Sequence, residues 1–364
     1  MVRAGRLAWA ERPEPALVAP TDALVRPFVA ARCDGDTVPL HRRVSRAMQA
    51  GIAVGAIDPV IACICGRIPF RGAFAIGHEC VAQVTELGHE VTGLRVGQSV
   101  IVPWAVSCGR CDRCRAGLTS KCSVTTGPGG ELAAFGFGAA CGPYGGMISD
   151  SLRVPHAEHM LVPVPEDVPA GRVAAAGDNL ADAWRAVVEP LRTRPGARVL
   201  VLGGGAKSIG LYAAGLAVAH GAATVEYRDD NPARRAIAES FGARAARHDT
   251  RLGAYEIAVE ATSRAGGLRR ALRALAPGGI CTAVGYYIAA GTRVPLMRMY
   301  ATDATLRLGV SHARALIPDL LAFISASGFP AERVTTLTAD WDDAPTAYLA
   351  RTTKVVLTRD PLAA

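Results

Sequence analysis

Half of the 364 residues are hydrophobic, so the chain can bury a large core, and its length favours two domains over one. The net charge of +8 does not indicate nucleic-acid binding, because only three residues are lysine and the arginines are spread among acidic residues along the whole chain. No apolar stretch suits a membrane span or a secretory signal, so we expect a cytoplasmic protein whose ten cysteines bind metal rather than form disulfides.

The first predicted elements are strands of an N-terminal β domain. An apolar stretch at 23–30 ends shortly before Cys33, an alternating stretch follows at 80–87, and a further strand is expected at 98–102. Glycines mark the turns between them. We therefore predict that residues 1–165 form a mostly antiparallel domain of the small-barrel type.

His78 and Glu79 lie just before the second of these strands. An imidazole beside a carboxylate, after an apolar run, predicts half of a metal site. A lone pair of this kind is more often part of a solvated face, so the metal hypothesis depends on the motifs that follow.

A four-cysteine array with the spacing C-x2-C-x2-C-x7-C is the strongest local motif. It lies in a polar lobe at about 105–125 and consists of Cys108, Cys111, Cys114 and Cys122. Four thiolates at this spacing can surround Zn²⁺, and a lobe with no core of its own needs such a link, although an iron–sulfur cluster is an alternative. Because four sulfurs leave no open position, we predict a structural zinc. The cysteines at 63, 65, 80, 141 and 281 lack metal-site spacing and are expected to be small buried residues.

A dinucleotide-binding unit is predicted in the second half of the chain. An apolar strand at 197–202 precedes a glycine turn and an alanine-rich helix through His220, so the turn can approach a pyrophosphate at the start of the helix. Ser208 occupies the place of the third glycine of the usual motif, which makes this loop longer. The expected cofactor contacts are Gly203, Gly205, Lys207, Ser208, Ile209 and Gly210.

The next predicted strand, at 223–229, ends in Asp229, which is placed to accept a ribose 2′-hydroxyl and favours NAD over NADP. An alternative remains, because Arg228, Arg234 and Arg235 could instead bind the 2′-phosphate of NADP.

The remaining elements complete a doubly wound parallel sheet at 166–299. Buried strands are predicted at 255–262 and 280–285, joined by a helix at 267–275 that Pro277-Gly278-Gly279 should stop. Residues 300–364 then add a strand, a helix and a final strand at 354–357.

Together these motifs resemble the zinc-containing medium-chain dehydrogenase/reductase family, of the alcohol dehydrogenase type, from about residue 7 to 357. The resemblance implies an α/β fold: a GroES-like catalytic domain, 1–165 and 300–364, interrupted by a Rossmann cofactor domain, with an active-site zinc in the cleft between them. It also implies two zinc ions per subunit and a homodimer or homotetramer.

The resemblance implies a catalytic zinc held by Cys33, His78 and Asp178. Asp178 stands where alcohol dehydrogenases often have cysteine, and the charge is conserved because carboxylate and thiolate are both anions. By the same resemblance, Glu79 is the acid that can approach the metal, and Asp36 orients a ligand.

Two departures from the family pattern bear on mechanism. Gly35 stands where a serine or threonine often passes the alcohol proton, so Asp34, Thr37 and His41 are candidates for that role. The apolar segment at 47–64, between Cys33 and His78, is unusually long and could form a subunit contact or a lid over the substrate.

The predicted reaction is the interconversion of a small-molecule alcohol and its carbonyl compound, with hydride transfer to or from the nicotinamide cofactor. Two alternatives come from other classes: a zinc-assisted lyase or cyclase on the same fold, and a redox-silent binding protein.

Overall fold

The computed structural model describes residues 1–3, 6–40 and 44–363, and it divides into two compact units. The first unit comprises Met1–Asp178 and His312–Ala364, and the second comprises Asn179–Ser311. Both breaks fall later in the chain than the predicted boundaries. At the first, the amide of Trp104 donates to the carbonyl of Gly177, which ties residues beyond 165 to the first unit. At the second, Thr305–Arg307 pairs with a strand of the second unit.

The described residues form fifteen strands and eleven α-helices. The strands are β1 Val2–Arg3, β2 Arg6–Leu7, β3 Ala23–Ala31, β4 Glu79–Leu87, β5 Ser99–Val102, β6 Leu152–Val154, β7 Val162–Pro163, β8 Arg198–Leu202, β9 Thr224–Arg228, β10 Arg244–Ala246, β11 Tyr255–Glu260, β12 Leu275–Ala283, β13 Thr305–Arg307, β14 Leu337–Asp340 and β15 Val355–Thr358. The helices are α1 Val44–Ala53, α2 Ala62–Cys65, α3 Asp112–Arg115, α4 Ala157–Met160, α5 Asn179–Thr193, α6 Lys207–Ala219, α7 Pro232–Ser240, α8 Ala265–Arg273, α9 Leu296–Ala301, α10 Ala313–Ser327 and α11 Ala344–Ala347.

The sheet of the first unit has the order β14-β15-β3-β4-β5-β7, with β6 also paired to β3. Its neighbours are antiparallel except for β14 and β15, as the sequence predicted for this half of the chain. The central strand β3 is buried except at Arg26, and β4 is buried from Glu79 to Val84. Ala31 pairs with Glu79 across these strands. The chain that leaves β3 and the chain that enters β4 are therefore close together at the same end of the strand pair.

The sheet of the second unit is parallel throughout, in the order β10-β9-β8-β11-β12-β13. The strand order reverses between β8 and β11, which is where a doubly wound sheet binds its ligand, at the carboxyl ends of the strands. The glycine turn follows β8 at that edge. This confirms the predicted cofactor-domain fold.

One predicted element was wrong in its extent. Leu275 begins β12 instead of ending the preceding helix, and Pro277-Gly278-Gly279 lies inside that strand. The pairing of β11 with β12 shifts register between Tyr255 and Ile257, so the proline and glycines lie opposite an irregular part of the ladder. Proline and glycine therefore do not end β12 here, because the irregular pairing accommodates them inside the strand.

The long segment before His78 contains α1 and α2 and buries little of its apolar surface. Within these two helices, Met48 and Cys65 are the buried residues. Val54 and Val60, by contrast, are 78% and 68% exposed. Among the described residues, none of the helices combines the length and the apolar character that crossing a bilayer requires.

Candidate metal centres and cofactor pocket

Cys33, His78 and Asp178 converge in the first unit. Cys33 follows β3, His78 precedes β4, and Asp178 is the last residue before α5. One ligand atom from each lies within 4.8 Å of the others, and Nε2 of His78 is 3.4 Å from Oδ2 of Asp178. The antiparallel pairing of β3 with β4 therefore brings two of the predicted ligands together, and the approach to α5 supplies the third.

Asp36 lies beside both Cys33 and His78. Its Oδ1 lies 3.0 Å from Nδ1 of His78, and its Oδ2 accepts a hydrogen bond from the amide of Cys33 at 3.1 Å. A carboxylate beside one ring nitrogen is the usual group that orients a metal-binding imidazole. The structure thus places Asp36 where the resemblance implied an orienting group.

The ionisable side chains of Cys33, His78 and Asp178 are suited to binding a cation. Burial raises the pKa of the Cys33 thiol, and Asp178 and Glu79 raise it further against the effect of His78. Burial lowers the pKa of His78, but Asp36, Asp178 and Cys33 outweigh it, so that pKa lies well above its ordinary value. Both shifts follow from anionic ligand groups enclosed in a buried space. A thiolate, a carboxylate and a neutral imidazole would balance a divalent zinc ion there, so the donor set fits that metal.

Glu79 is paired with Lys354, a residue whose partner the sequence does not reveal. Nζ of Lys354 lies 2.5 Å from Oε2 of Glu79, and both side chains are fully buried. Lys354 is one of three lysines in the chain and lies directly before the apolar strand β15, a position where a lysine needs an acidic partner. A lysine directly before an apolar strand was therefore the sequence signal that could have predicted an ion pair with a buried acid.

The three proton-relay candidates differ in placement. The hydroxyl of Thr37 donates to the carbonyl of Asp34 at 2.8 Å, inside the 3-10 helix Asp34–Leu40. His41 lies outside the described residues. Gly35 offers no hydroxyl, and its amide lies 3.4 Å from the sulfur of Cys33.

The four cysteines of the lobe also converge. Their sulfur atoms all lie within 4.8 Å of one another. The amides of Cys108 and Cys114 point at the sulfurs of Cys122 and Cys111, at 3.4 and 3.5 Å, which favours thiolates. Hydrogen bonds, the largest from Ser123, lower the pKa of Cys111 to about 5. Four sulfurs at this separation suit tetrahedral zinc with no open position.

The described residues contain all ten cysteines, and no disulfide joins any of them. Of the five outside the two clusters, Cys65, Cys80, Cys141 and Cys281 are buried and Cys63 is partly buried, which agrees with the expected packing role.

The glycine turn of the second unit is tightly constrained. A Cβ on Gly205 would come within 2.5 Å of the carbonyl of Thr262, and the amides of Gly205 and Ala206 donate to the carbonyl of Ala261. The hydroxyl of Ser208 is buried and donates to Asn179 at 2.8 Å, so it is directed into the protein. Lys207 is the first residue of α6. The start of this helix is therefore the part of the loop best suited to a pyrophosphate.

A cavity of about 500 Å³ opens beside this turn. Its lining includes Gly203, Asp229, Arg234, His248 and Thr262. Asp229 is nearly fully buried and bonded by Arg234 at 2.6 and 2.8 Å. Burial acts to raise the pKa of Asp229, but Arg234 and the amide of Asn231 outweigh it and keep the carboxyl ionised. The cavity thus has the volume of a small-ligand site and a fixed negative group in its wall.

Comparisons with known proteins agree with this geometry. The family model described as "Alcohol dehydrogenase GroES-like domain" matches residues 19–166. A probable zinc-binding alcohol dehydrogenase of Mycobacterium tuberculosis is 30% identical over 78% of this chain and 72% of its own length. An L-threonine 3-dehydrogenase of Mesorhizobium japonicum is 35% identical, but over 46% of this chain and 43% of its own. The solved alcohol dehydrogenase of Thermus sp. ATN1 superimposes with a TM-score of 0.82 at 27% identity, covering 98% of both chains.

Proposed function

The chain belongs to the zinc-binding alcohol dehydrogenase family, and on that premise we propose that it interconverts an alcohol and its carbonyl compound with a nicotinamide cofactor. The observation that carries the proposal is the convergence of Cys33, His78 and Asp178 with Asp36 behind them. These three residues would hold a zinc ion with an open position, as a catalytic zinc requires. When bound, the metal acidifies the substrate oxygen and the nicotinamide exchanges the hydride.

The proposed catalytic ligands are Cys33, His78 and Asp178. Asp36 keeps the imidazole oriented, and Lys354 holds Glu79 as a buried anion directly beside His78. Glu79 is the acid that would approach the metal, as the family resemblance implies. The carboxylate of Asp178 is a harder ligand than a thiolate, and we expect it to make the metal a stronger Lewis acid. Because Gly35 has no hydroxyl, we propose that proton release uses water or one of the candidates Asp34, Thr37 and His41; the hydroxyl of Thr37 donates within its own turn.

The second proposed zinc is structural and bound by the four-cysteine lobe. The mutual approach of the sulfurs supports it. The site would link a lobe that lacks an apolar core, because among its buried residues the three cysteines Cys108, Cys114 and Cys122 form a cluster of their own.

NAD is the proposed cofactor. An ionised carboxylate at the end of β9 accepts ribose hydroxyls and repels a 2′-phosphate, and Asp229 meets that description. Lys207 and the amides at the start of α6, including those of Ser208 and Ile209, are the proposed pyrophosphate contacts. Gly203, Gly205 and Gly210 supply the close backbone approach.

We further propose a homodimer or homotetramer. Leu296, Met297 and Tyr300 on α9 are 69%, 75% and 81% exposed, which is an apolar cluster that a second subunit would cover. We also propose a cytoplasmic location, because the spacing of the cysteines in the sequence indicates metal binding more than disulfides.

The proposal is tested by metal analysis and cofactor absorbance on one preparation. We expect two zinc ions per subunit and formation of NADH when NAD is supplied with members of an alcohol panel. Chelation should abolish turnover and leave NADH binding measurable. An unchanged rate after removal of the zinc would contradict the proposed site.

A further inference from the structure

Tyr227 lies beneath the first glycine of the cofactor loop. It is a fully buried residue of β9, and its hydroxyl occupies the space that a side chain at Gly203 would need, since a Cβ there would come within 2.3 Å. Glycine at position 203 therefore leaves the space that the Tyr227 hydroxyl fills, in addition to allowing the turn. The cavity beside the turn is lined by Gly203 and Asp229, and the fully buried hydroxyl of Tyr227 lies behind these two residues.

The hydroxyl of Tyr227 donates to Oδ2 of Asp229 at 2.9 Å. Tyr227 is in β9 and Asp229 directly follows that strand, and the alternation of extended backbone places side chains two positions apart on the same face. Burial and the charge of Asp229 raise the pKa of Tyr227 well above its ordinary value, so the phenol keeps its proton. Because Asp229 is ionised, the direction of the bond is fixed.

The acceptor positions of Asp229 are all in use. Oδ1 accepts from the amide of Asn231 and from Arg234, both at 2.8 Å, and Oδ2 accepts from Tyr227 and from Arg234 at 2.6 Å. A carboxylate offers about four acceptor positions. A ribose diol can therefore reach Asp229 only by replacing bonds. The two from Arg234 are the replaceable ones, because they come from a long side chain that itself lines the cavity.

We propose that Tyr227 is a positioning residue for the adenosine ribose. It holds Oδ2 of Asp229 in place while the two ribose hydroxyls displace Arg234, and it thereby sets the selectivity for NAD over NADP. After that exchange, Tyr227 is the side chain of this group that still holds the carboxylate, and the other remaining bond comes from a backbone amide. The inference rests on the proposed function of Asp229 as the ribose acceptor.

The same geometry explains why NADP should not share this dependence. A ribose carrying a 2′-phosphate lacks one of the two donors and brings negative charge towards Asp229. Its affinity therefore does not depend on how well the carboxylate is held.

The test is Tyr227→Phe in the full-length zinc-loaded protein, with NADH and NADPH titrated separately by fluorescence. A hydrogen bond to a charged group contributes enough that we expect the dissociation constant for NADH to rise about tenfold, while that for NADPH changes by less than about twofold. Tyr255→Phe is the matched control. Tyr255 is a buried tyrosine of β11, a strand that β8 separates from β9, and its hydroxyl accepts from the amide of Gly253, so the substitution should change neither constant.

A second measurement separates positioning from a purely structural role. If Tyr227 acts through Asp229, adding Tyr227→Phe to Asp229→Ala should weaken NADH binding by less than about twofold more. A further tenfold loss would overturn the inference, as would equal weakening of NADH and NADPH in Tyr227→Phe alone, or no weakening at all. Wild-type protein that binds neither cofactor would instead overturn the proposed function and the inference with it.

Discussion

Replacing Lys354 with Met should destabilise the first unit strongly, because it leaves Glu79 without its partner. Both side chains are fully buried and their charged atoms lie 2.5 Å apart. Removing one partner of a buried ion pair costs about 3–5 kcal/mol, whereas an exposed pair contributes about 0–1 kcal/mol. For a unit of this size the larger cost corresponds to a fall in melting temperature on the order of 10 °C.

The loss should also depend on pH. Burial already raises the pKa of Glu79 against the effect of Lys354, and without the lysine that pKa rises further. The folded variant then binds a proton that the unfolded chain has released, so its stability is greatest at low pH and falls as pH rises past the ordinary range of a glutamate. The deficit relative to the wild type should therefore be small in acid and largest near neutral pH.

The assay is thermal unfolding of the zinc-loaded protein between about pH 5 and pH 8. Arg95→Met is the matched control, since Arg95 pairs with Glu166 at 3.8 Å with both side chains largely exposed, and it should have little effect. The double variant Lys354→Met with Glu79→Gln removes the unpaired charge and should recover part of the loss, with no fall at higher pH. A Lys354→Met protein as stable as the Arg95→Met control at pH 8 would refute the reasoning.

Three further outcomes are expected. Asp178→Ala should lower the zinc content from two to one per subunit and lower turnover by more than about a hundredfold. Cys114→Ser should remove the other zinc ion and lower the melting temperature, while NADH binding survives. Loss of both zinc ions in either variant would contradict two separate sites. Gly203→Ala should weaken NADH binding, because its Cβ meets the Tyr227 hydroxyl. Gly171→Ala, at an exposed position with no atom within 4 Å and outside the lining of the cavity beside the glycine turn, serves as the control in the same titration. Burial raises the pKa of Glu260 to about 7 from an ordinary 4.5. This group therefore stabilises the fold below about pH 4.5, and its contribution is lost as the pH rises to 7. The melting temperature of Glu260→Gln should lack this part of the decline with pH, and identical profiles for the variant and the wild type would contradict the role of Glu260.

The fold was largely predictable because its signals are local. The alternation at β4, the apolar runs at β8 and β11 and the glycines after β8 each report on a few neighbouring residues. The extent of β12 was not predictable, since the irregular pairing with β11 that admits its proline and glycines depends on a distant strand.

The candidate site divides in the same way. Cys33, His78 and Asp178 were predicted by resemblance, and their proximity depends on the pairing of β3 with β4 and on the path into α5. Lys354 received no role, because its partner Glu79 is 275 residues away along the chain. Nor does the sequence near Asp229 indicate that Arg234 occupies its acceptor positions.

The sequence by itself determined which chemical groups are present and which of them are neighbours along the backbone: the four-cysteine spacing, the strand–glycine–helix unit and the acid that ends β9. Those features depend on distances of a few residues, which the covalent chain imposes. The tertiary structure alone decided that the three anionic and imidazole ligands meet, that a buried lysine balances Glu79, and that Tyr227 holds Asp229 under the cofactor loop. These are contacts made across strands and between elements, and their distances follow from strand register and side-chain packing.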